Sequence, residues 1–331
     1  MRGIAPLAVS MGDPAGIGPE VIAKAWDRRN SEKLPCFFAV GDIRAVSAVW
    51  NGPVESIDDP RDACDIFHRA LPVVSVVDDE AIVPGRPDIG GARCALQSLE
   101  MAAGLARSDA ASGLVTAPVS KAELYRVGFD YPGQTEFVAE RCGVARENAV
   151  MMLAGPTLRV VPVTIHEPLA AVPEALTIDL LIARARATAR GLTRDFGIDA
   201  PRLALAGLNP HAGEGGAIGR EEIDVMVPAV EQLRAEGIDI VGPLAADTMF
   251  HPRARARYDA ALCAYHDQAL IPIKTLHFDD GVNITLGLPI VRTSPDHGTA
   301  FDIAGRDMAE PGAMIAAIRM AGEAAARRAA A

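Results

Sequence analysis

Aromatic residues fill only 5% of the 331 positions, and the five cysteines, Cys36, Cys64, Cys94, Cys142 and Cys263, stand far apart with no Cys-x-x-Cys pair. An odd, scattered set argues against a disulfide framework and against a thiolate metal site, so all five read as buried thiols. No run of about 18 apolar residues occurs, which leaves no candidate transmembrane helix. The opening stretch MRGIAPLAVSMGDP reaches Gly-Asp-Pro too soon for the apolar region of a signal peptide, and the expectation is a cytoplasmic protein. A stripe dense in lysine and arginine is missing too: 43 acidic residues face 32 basic ones, for a formal net charge of -11. The electrostatic footprint of a nucleic-acid or anionic-membrane binder is therefore absent, and any anionic ligand must be held by local groups. Internal repeats and low-complexity tracts are lacking as well.

What is present is an enzyme-like composition. Half the residues are hydrophobic, and 30 glycines and 24 prolines are scattered along the chain, which suits many short loops. The length exceeds what one hydrophobic core usually serves, so two lobes are expected. Short apolar runs rich in β-formers, at 4–11, 36–40, 73–77, 112–119, 157–165, 202–208 and 259–265, alternate with helix-patterned segments at 91–108, 176–193, 221–237 and 312–331. That alternation predicts an α/β protein with a largely parallel sheet.

Three of the seven histidines share one context. TLRVVPVTIHE, RLALAGLNPHAGEG and DAALCAYHDQA each carry a buried-type apolar strand with a histidine, His166, His211 or His266, just past its carboxyl end. In open α/β sheets that edge is where ligand crevices form. Three imidazoles meeting there suit Zn²⁺ or another divalent ion, with positions left for water or substrate oxygens. Taken singly, each reads first as a hydrogen-bonded loop or core histidine; the shared placement is what argues for a metal. His68 and His251 read as surface residues without a role, and His277 is ambiguous.

The segment SMGDPAGIGPEVIAKAW (10–26) reads as strand, tight turn and helix, with a helix start at Pro19 and Glu20. Its glycines, Gly12, Gly16 and Gly18, fit neither the dinucleotide fingerprint nor a phosphate loop, so it is a tight turn or an anion-binding turn. HAGEGGAIGREE (211–222) also misses the dinucleotide spacing, because position 218 is Ile, and reads as a mobile active-site loop or a plain connector. Further on, Lys274, Asn283 and Arg292 recur at intervals of nine, each beside strand-like apolar residues. Arg292 with its bidentate fork and Lys274 as a point charge suit a phosphate or carboxylate, unless both are solvated edge charges. DHGTAFDIAG (296–305) resembles the loop with which isocitrate and isopropylmalate dehydrogenases hold the adenosine part of their cofactor, which makes His297, Gly298, Thr299 and Asp302 cofactor candidates and NAD⁺ or NADP⁺ the cofactor. Asp247 and Asp267 are candidates, by position, for orienting ligands or transferring protons.

Taken together, MGDPAGIGPE, TAPVSK (116–121), GQTEF (133–137), NPHAGEGGAIGREE (209–222), GPLAADTMF (242–250), YHDQ (265–268) and GVNITLGLPIVRTSPDHGTA (281–300) resemble the 4-hydroxythreonine-4-phosphate dehydrogenase family of pyridoxal phosphate biosynthesis. That resemblance implies an isocitrate-dehydrogenase-like fold of two α/β/α lobes, with the active site in the cleft between them and at the interface of an obligate homodimer. The expected division is 1–130 with 285–331 on the cofactor side, and 131–284 carrying metal ligands and dimer contacts. It also implies His166, His211 and His266 as metal ligands, one reaching the ion from the partner subunit, and Thr135, Lys274, Asn283 and Arg292 as substrate contacts. The implied chemistry is oxidation of 4-phosphohydroxy-L-threonine at C3 and loss of CO₂ to give 3-amino-2-oxopropyl phosphate. One position departs from the family, which has histidine where this chain has Gln134; glutamine hydrogen-bonds but does not titrate near neutral pH. Sister substrates therefore stay open, such as a threonate or erythronate 4-phosphate or a carboxylated cis-dihydrodiol. So do a metal hydrolase or lyase without nicotinamide and a non-catalytic binder of phosphometabolites. The metal, Zn²⁺ or Mg²⁺, Co²⁺ or Mn²⁺, is not separated by sequence.

Overall fold

The computed structural model of the chain describes residues 4–76 and 82–331. Its described residues carry β1 (Leu7–Ser10), β2 (Phe37–Gly41), β3 (Val54–Ile57), β4 (Leu71–Ser75), β5 (Leu114–Thr116), β6 (Val150–Gly155), β7 (Leu158–Pro162), β8 (Arg202–Ala206), β9 (Asp239–Leu244), β10 (Ala260–Cys263), β11 (Val282–Leu286) and β12 (Arg292–Pro295). All seven apolar runs expected as strands contain one; the run at 73–77 ends on Val77, outside the described residues. Two compact units emerge, one formed by residues up to Gly143 with Leu288–Ala331, the other by Val144–Gly287. The helix Gln134–Arg141 thus belongs with the N-terminal unit. Among the described residues no helix is long and apolar enough to cross a membrane.

In the first unit the strand order is β3-β4-β2-β1-β5-β12, every pair parallel. Leu7, Ala8, Val9, Phe37 and Phe38 are all at most 1% exposed, which is why these strands read as unbroken apolar runs rather than alternating ones. The helix Ile89–Arg107 starts on Asp88, whose side chain accepts the Gly91 N–H at 2.7 Å, and lays its small residues against β1 and β2. Its Ser98 hydroxyl accepts the Met11 N–H at 3.0 Å and donates to the Val40 carbonyl at 2.5 Å, tying the helix to both strand ends. The helix Gly312–Ala330 covers β12.

The cysteine expectation needs correction. Cys36, just before β2, and Cys64, on the short helix Ala63–Ile66, form a disulfide, with Cα atoms 5.7 Å apart. Their 28-residue separation concealed a short distance in the fold. Cys94 and Cys263 are buried thiols outside that disulfide, and Cys142 is half-buried.

The turn after β1 is closed by its own amides. The N–H groups of Asp13, Gly16 and Ile17 donate to the carbonyls of Pro118, Asp13 and Thr299, and that of Ala15 donates to Asp13 Oδ1, each at 3.0 Å. This commits four of the segment's donors to the chain itself and closes a tight turn. Gly12 is required there: at φ +72°, its Cβ would lie 2.2 Å from the Pro118 oxygen.

The second unit has the order β11-β6-β7-β10-β8-β9. β6 runs antiparallel to both β11 and β7, whereas β7, β10, β8 and β9 are parallel. The helix Ile178–Phe196 begins at Thr177, whose hydroxyl accepts the Leu180 N–H, and ends at Gly197 in the left-handed region. The expected single helix at 221–237 is two pieces, a π-helical turn Glu222–Met226 and the helix Val227–Ala235. Pro228 cannot donate to the turn before it, and the backbone widens there.

Asp13, 2% exposed, carries a testable charge. Burial lifts its carboxyl to about 6 against the lowering effect of the Ala15 N–H, and the charges of Glu123 and Asp88 add to the lift. The folded protein therefore holds this proton more tightly than the unfolded chain; the contribution is complete below about pH 4 and is lost as the pH rises through 6. Asp13→Asn stays neutral, so urea unfolding should show its stability relative to the native protein rising by about 2 kcal/mol between pH 4 and pH 7. A pH-independent difference would contradict this reading.

Candidate metal centre and anion pocket

The three candidate histidines leave the sheet of the second unit from adjacent parallel strands. β10 lies between β7 and β8, and His166, His266 and His211 follow the carboxyl ends of β7, β10 and β8 within five residues. Parallel pairing forces every crossover to return before the next strand starts, so the three exits share one sheet edge. The rings of His166 and His266 stand 5.9 Å apart between centroids. Two imidazoles bound to one ion through bonds of about 2.0–2.1 Å would have centroids about 5–6 Å apart, so this pair stands at ligand spacing. His266 Nδ1 lies 2.7 Å from Asp267 Oδ1, an arrangement that fixes the ring and leaves Nε2 for a metal. This gives Asp267 an orienting place.

His211 stands on an unusual turn. His211, Ala212, Gly213, Glu214 and Gly215 all have positive φ, at 52°, 52°, 80°, 44° and 65°. Three of these are not glycine, and each costs about 1–2 kcal/mol in that region. Such strain clusters at functional sites. His211 Nδ1 meets Glu214 Oε2 at 3.0 Å, and its side chain is 66% exposed. Among the described residues of the single chain, no three His, Cys, Asp or Glu side chains gather closely enough to hold an ion, so His211 is not drawn into the His166–His266 pair. Asp247 is exposed on the short turn Ala246–Thr248, which packs against the His211 turn.

Lys274 lies on the helix His266–Leu276, which corrects the strand expected around it; Pro272 inside the helix breaks the helical pattern of LIPIK. The helix places Lys274 with His266, Asp267, Leu270, Ile271 and Thr275 along a cavity of about 470 Å³. Asn283, on β11, keeps its Oδ1 buried with no hydrogen-bond partner, an acceptor awaiting a donor. His277 is structural: its Nε2 meets the Thr157 hydroxyl at 2.8 Å and its ring fills the space a Cβ at Gly155 would need.

Within the first unit, Arg292 on β12 is only 3% exposed. Its Nη1 donates to the Thr135 hydroxyl at 3.1 Å and its Nη2 to the Thr116 hydroxyl at 2.8 Å. Burial lowers the guanidinium to about 10, opposed by the nearby Glu136 charge, and it stays cationic at neutral pH. Thr135 and Gln134 open the helix Gln134–Arg141, whose N-terminus favours negative charge. Gln134 Nε2 donates to the Ala117 carbonyl at 3.3 Å, while its Oε1 is buried without a partner. A buried cation, two hydroxyls and a helix start are the elements of an anion pocket. Thr116 was missed as a site residue, although TAPVSK places it at the carboxyl end of β5.

The 297–302 loop packs on the turn after β1. The Thr299 carbonyl accepts the Ile17 N–H, and a Cβ at Gly16 would lie 3.0 Å from the same oxygen. His297 and Gly298 are exposed, Asp302 is exposed beyond them, and Gly298 has open space where a Cβ would stand.

The family model described as "Pyridoxal phosphate biosynthetic protein PdxA" matches residues 35–321. A relative from Zymomonas mobilis named 4-hydroxythreonine-4-phosphate dehydrogenase is 61% identical over 323 residues, covering 98% of this chain and 96% of its own. The crystal structure of a 4-hydroxythreonine-4-phosphate dehydrogenase from Klebsiella pneumoniae has a TM-score of 0.87 at 35% identity, covering 98% of this chain and 99% of that one. A terephthalate 1,2-cis-dihydrodiol dehydrogenase from Burkholderia xenovorans LB400 has a TM-score of 0.67 at 30% identity, covering 96% and 98%.

The anion pocket predicts that inorganic phosphate raises the Tm of the protein logarithmically with its concentration above Kd, by an amount equivalent to about 2.7 kcal/mol at a hundred times its Kd. Arg292→Ala should abolish the rise. An undiminished rise in that variant would place phosphate elsewhere.

Proposed function

The chain belongs to the family of the pyridoxal phosphate biosynthetic protein PdxA, and from that premise we propose that it is a metal-dependent oxidoreductase that oxidises 4-phosphohydroxy-L-threonine at C3 and decarboxylates the product to 3-amino-2-oxopropyl phosphate. The observation that carries the mechanism is the exit of His166, His211 and His266 from three neighbouring parallel strands, two of them at ligand spacing. These three would hold one divalent ion, with one of them reaching from the partner subunit of a homodimer; imidazole nitrogen suits Zn²⁺, and Mg²⁺, Co²⁺ and Mn²⁺ are the alternatives. The loop carrying His297, Gly298, Thr299 and Asp302 would hold the adenosine part of NAD⁺ or NADP⁺. When bound, the metal supplies Lewis-acid polarisation of substrate oxygens and the nicotinamide accepts the hydride.

The chain's own groups bind and orient. Arg292, with Thr135 and Thr116, takes the phosphate, and Lys274 with Asn283 takes the carboxylate end. Asp267 keeps His266 aligned. Asp247 would accept the C3 hydroxyl proton as the hydride leaves C3. The resulting 3-oxo acid breaks its bond to the carboxyl carbon, CO₂ departs, and the electron pair left on C2 takes up a proton.

Gln134 supports a second reading. Its buried Oε1 offers an acceptor where the family has histidine, and that change favours a different hydroxy acid, such as a threonate or erythronate 4-phosphate or a carboxylated cis-dihydrodiol. Turnover of a panel of these acids with NAD⁺ or NADP⁺ decides between them. The main reading predicts reduced nicotinamide from 4-phosphohydroxy-L-threonine, abolished by a strong chelator and by His211→Ala; full activity in metal-free enzyme would sink it. Gln134→His should shift kcat/KM between the phosphothreonine and the rival acids by about tenfold, or about 1.4 kcal/mol, and no shift would remove Gln134 as a determinant.

A further inference from the structure

Each histidine of the candidate metal centre stands two residues beyond a hydrogen-bonded anchor: Thr164 before His166, Ala264 before His266 and Asn209 before His211. Thr164 donates to the Ala264 carbonyl twice, from its backbone N–H at 3.2 Å and from its hydroxyl at 2.8 Å. The Ala264 N–H donates to Gln268 Oε1 at 2.6 Å, and Gln268 Nε2 donates to the Gly207 carbonyl at 2.8 Å. One glutamine therefore ties the exit of β10 to that of β8, and the Ala264 peptide group ties both to the exit of β7.

The third anchor is a buried acid. Glu222, 3% exposed, accepts the Asn209 N–H at 2.7 Å through Oε1 and Asn209 Nδ2 at 2.9 Å through Oε2. The glycines of HAGEGG, and Gly207 before them, make room for this side chain. A Cβ at Gly213 would lie 2.6 Å from Glu222 Oε2, and one at Gly207 would lie 3.2 Å from Oε1. The loop that matches no nucleotide motif is wrapped around a carboxyl group that the chain itself supplies.

Resting on the metal reading above, we infer that Glu222 and Gln268 are positioning residues for the three histidines: they set where each imidazole stands before an ion arrives, so metal affinity depends on two side chains that never touch the metal. Without Glu222, the Asn209 N–H loses its acceptor and the Asn209 side chain keeps only Glu221 Oε2, at 2.7 Å, so the turn that carries the positive φ of His211, Ala212 and Glu214 is held less firmly and ion binding must order more of it. Outer partners of this kind typically change metal affinity by about 10–100-fold.

The test measures Co²⁺ and Zn²⁺ affinity by chelator competition, the Co²⁺ absorption spectrum, and amide exchange in the metal-free protein, for the native chain, Glu222→Ala, Gln268→Ala and Glu222→Gln. The first two substitutions should weaken metal binding by about 10–100-fold and alter the Co²⁺ spectrum. They should speed exchange at residues 207–216 while leaving β1 and β2 unchanged. Glu222→Gln, which keeps an acceptor for the Asn209 N–H, should restore most of the affinity; it carries the Glu222 arm should Glu222→Ala not fold. Native affinity and spectrum in the variants would overturn the inference, and so would affinity losses accompanied by exchange rising evenly through the whole chain. Should the native protein take up no divalent ion, the metal reading falls, and unchanged exchange at 207–216 in the variants would separately sink the positioning role.

Discussion

The peptide group of Ala264 is the point on which the second unit's chemistry depends. Its carbonyl receives Thr164 and its N–H is taken by Gln268, so the central strand of the trio β7-β10-β8 holds the exits of both neighbours. The parallel ladder brings three loops to one edge. It does not say how far each projects, and the side-chain bonds at Ala264 and Glu222 supply that. A histidine at the first turn of the helix His266–Leu276 and another after β7 then arrive at a spacing suited to one ion, with Asp267 holding the first.

The first unit solves a different problem, keeping a full positive charge out of water. Arg292, on β12, is only 3% exposed, and a guanidinium buried to that degree loses much of its hydration energy. Thr116 and Thr135 offset part of that loss, and the drop to about 10 records what remains. An anion entering this pocket would add to the hydroxyls of Thr116 and Thr135 and the nearby Glu136 charge in offsetting the cost of burying the guanidinium. Gln134 Oε1 and Asn283 Oδ1 are each a buried acceptor with no donor among the described residues. Local rules are broken where ligands are expected to complete them.

Much of this was legible before any coordinates. Parallel strands buried on both faces leave continuous apolar runs, so RLALAGL and DAALCAY announced β8 and β10, and the histidines just beyond them were visible as a set. The outer strands β3 and β9, VESI and DIVGPL, lack such runs, whereas the antiparallel β6, VMMLAG, carries one that sequence reasoning missed. Lys274 was placed on a strand because Pro272 disguises its helix. The disulfide between Cys36 and Cys64, the buried state of Asp13 and the roles of Gln268 and Glu222 were illegible for one reason: each depends on contacts between residues distant in sequence. A polar residue two positions past a candidate ligand, as Gln268 is past His266, is a signal that could have been used.

The central claim is that His166, His211 and His266 hold one divalent ion. Anomalous diffraction at the zinc edge, from crystals of the protein grown with Zn²⁺, tests it directly. The account predicts one strong peak per chain, about 2.0–2.1 Å from an imidazole nitrogen of each of the three histidines, whether drawn from one subunit or two. A peak held by other residues, or none at these histidines, would contradict it.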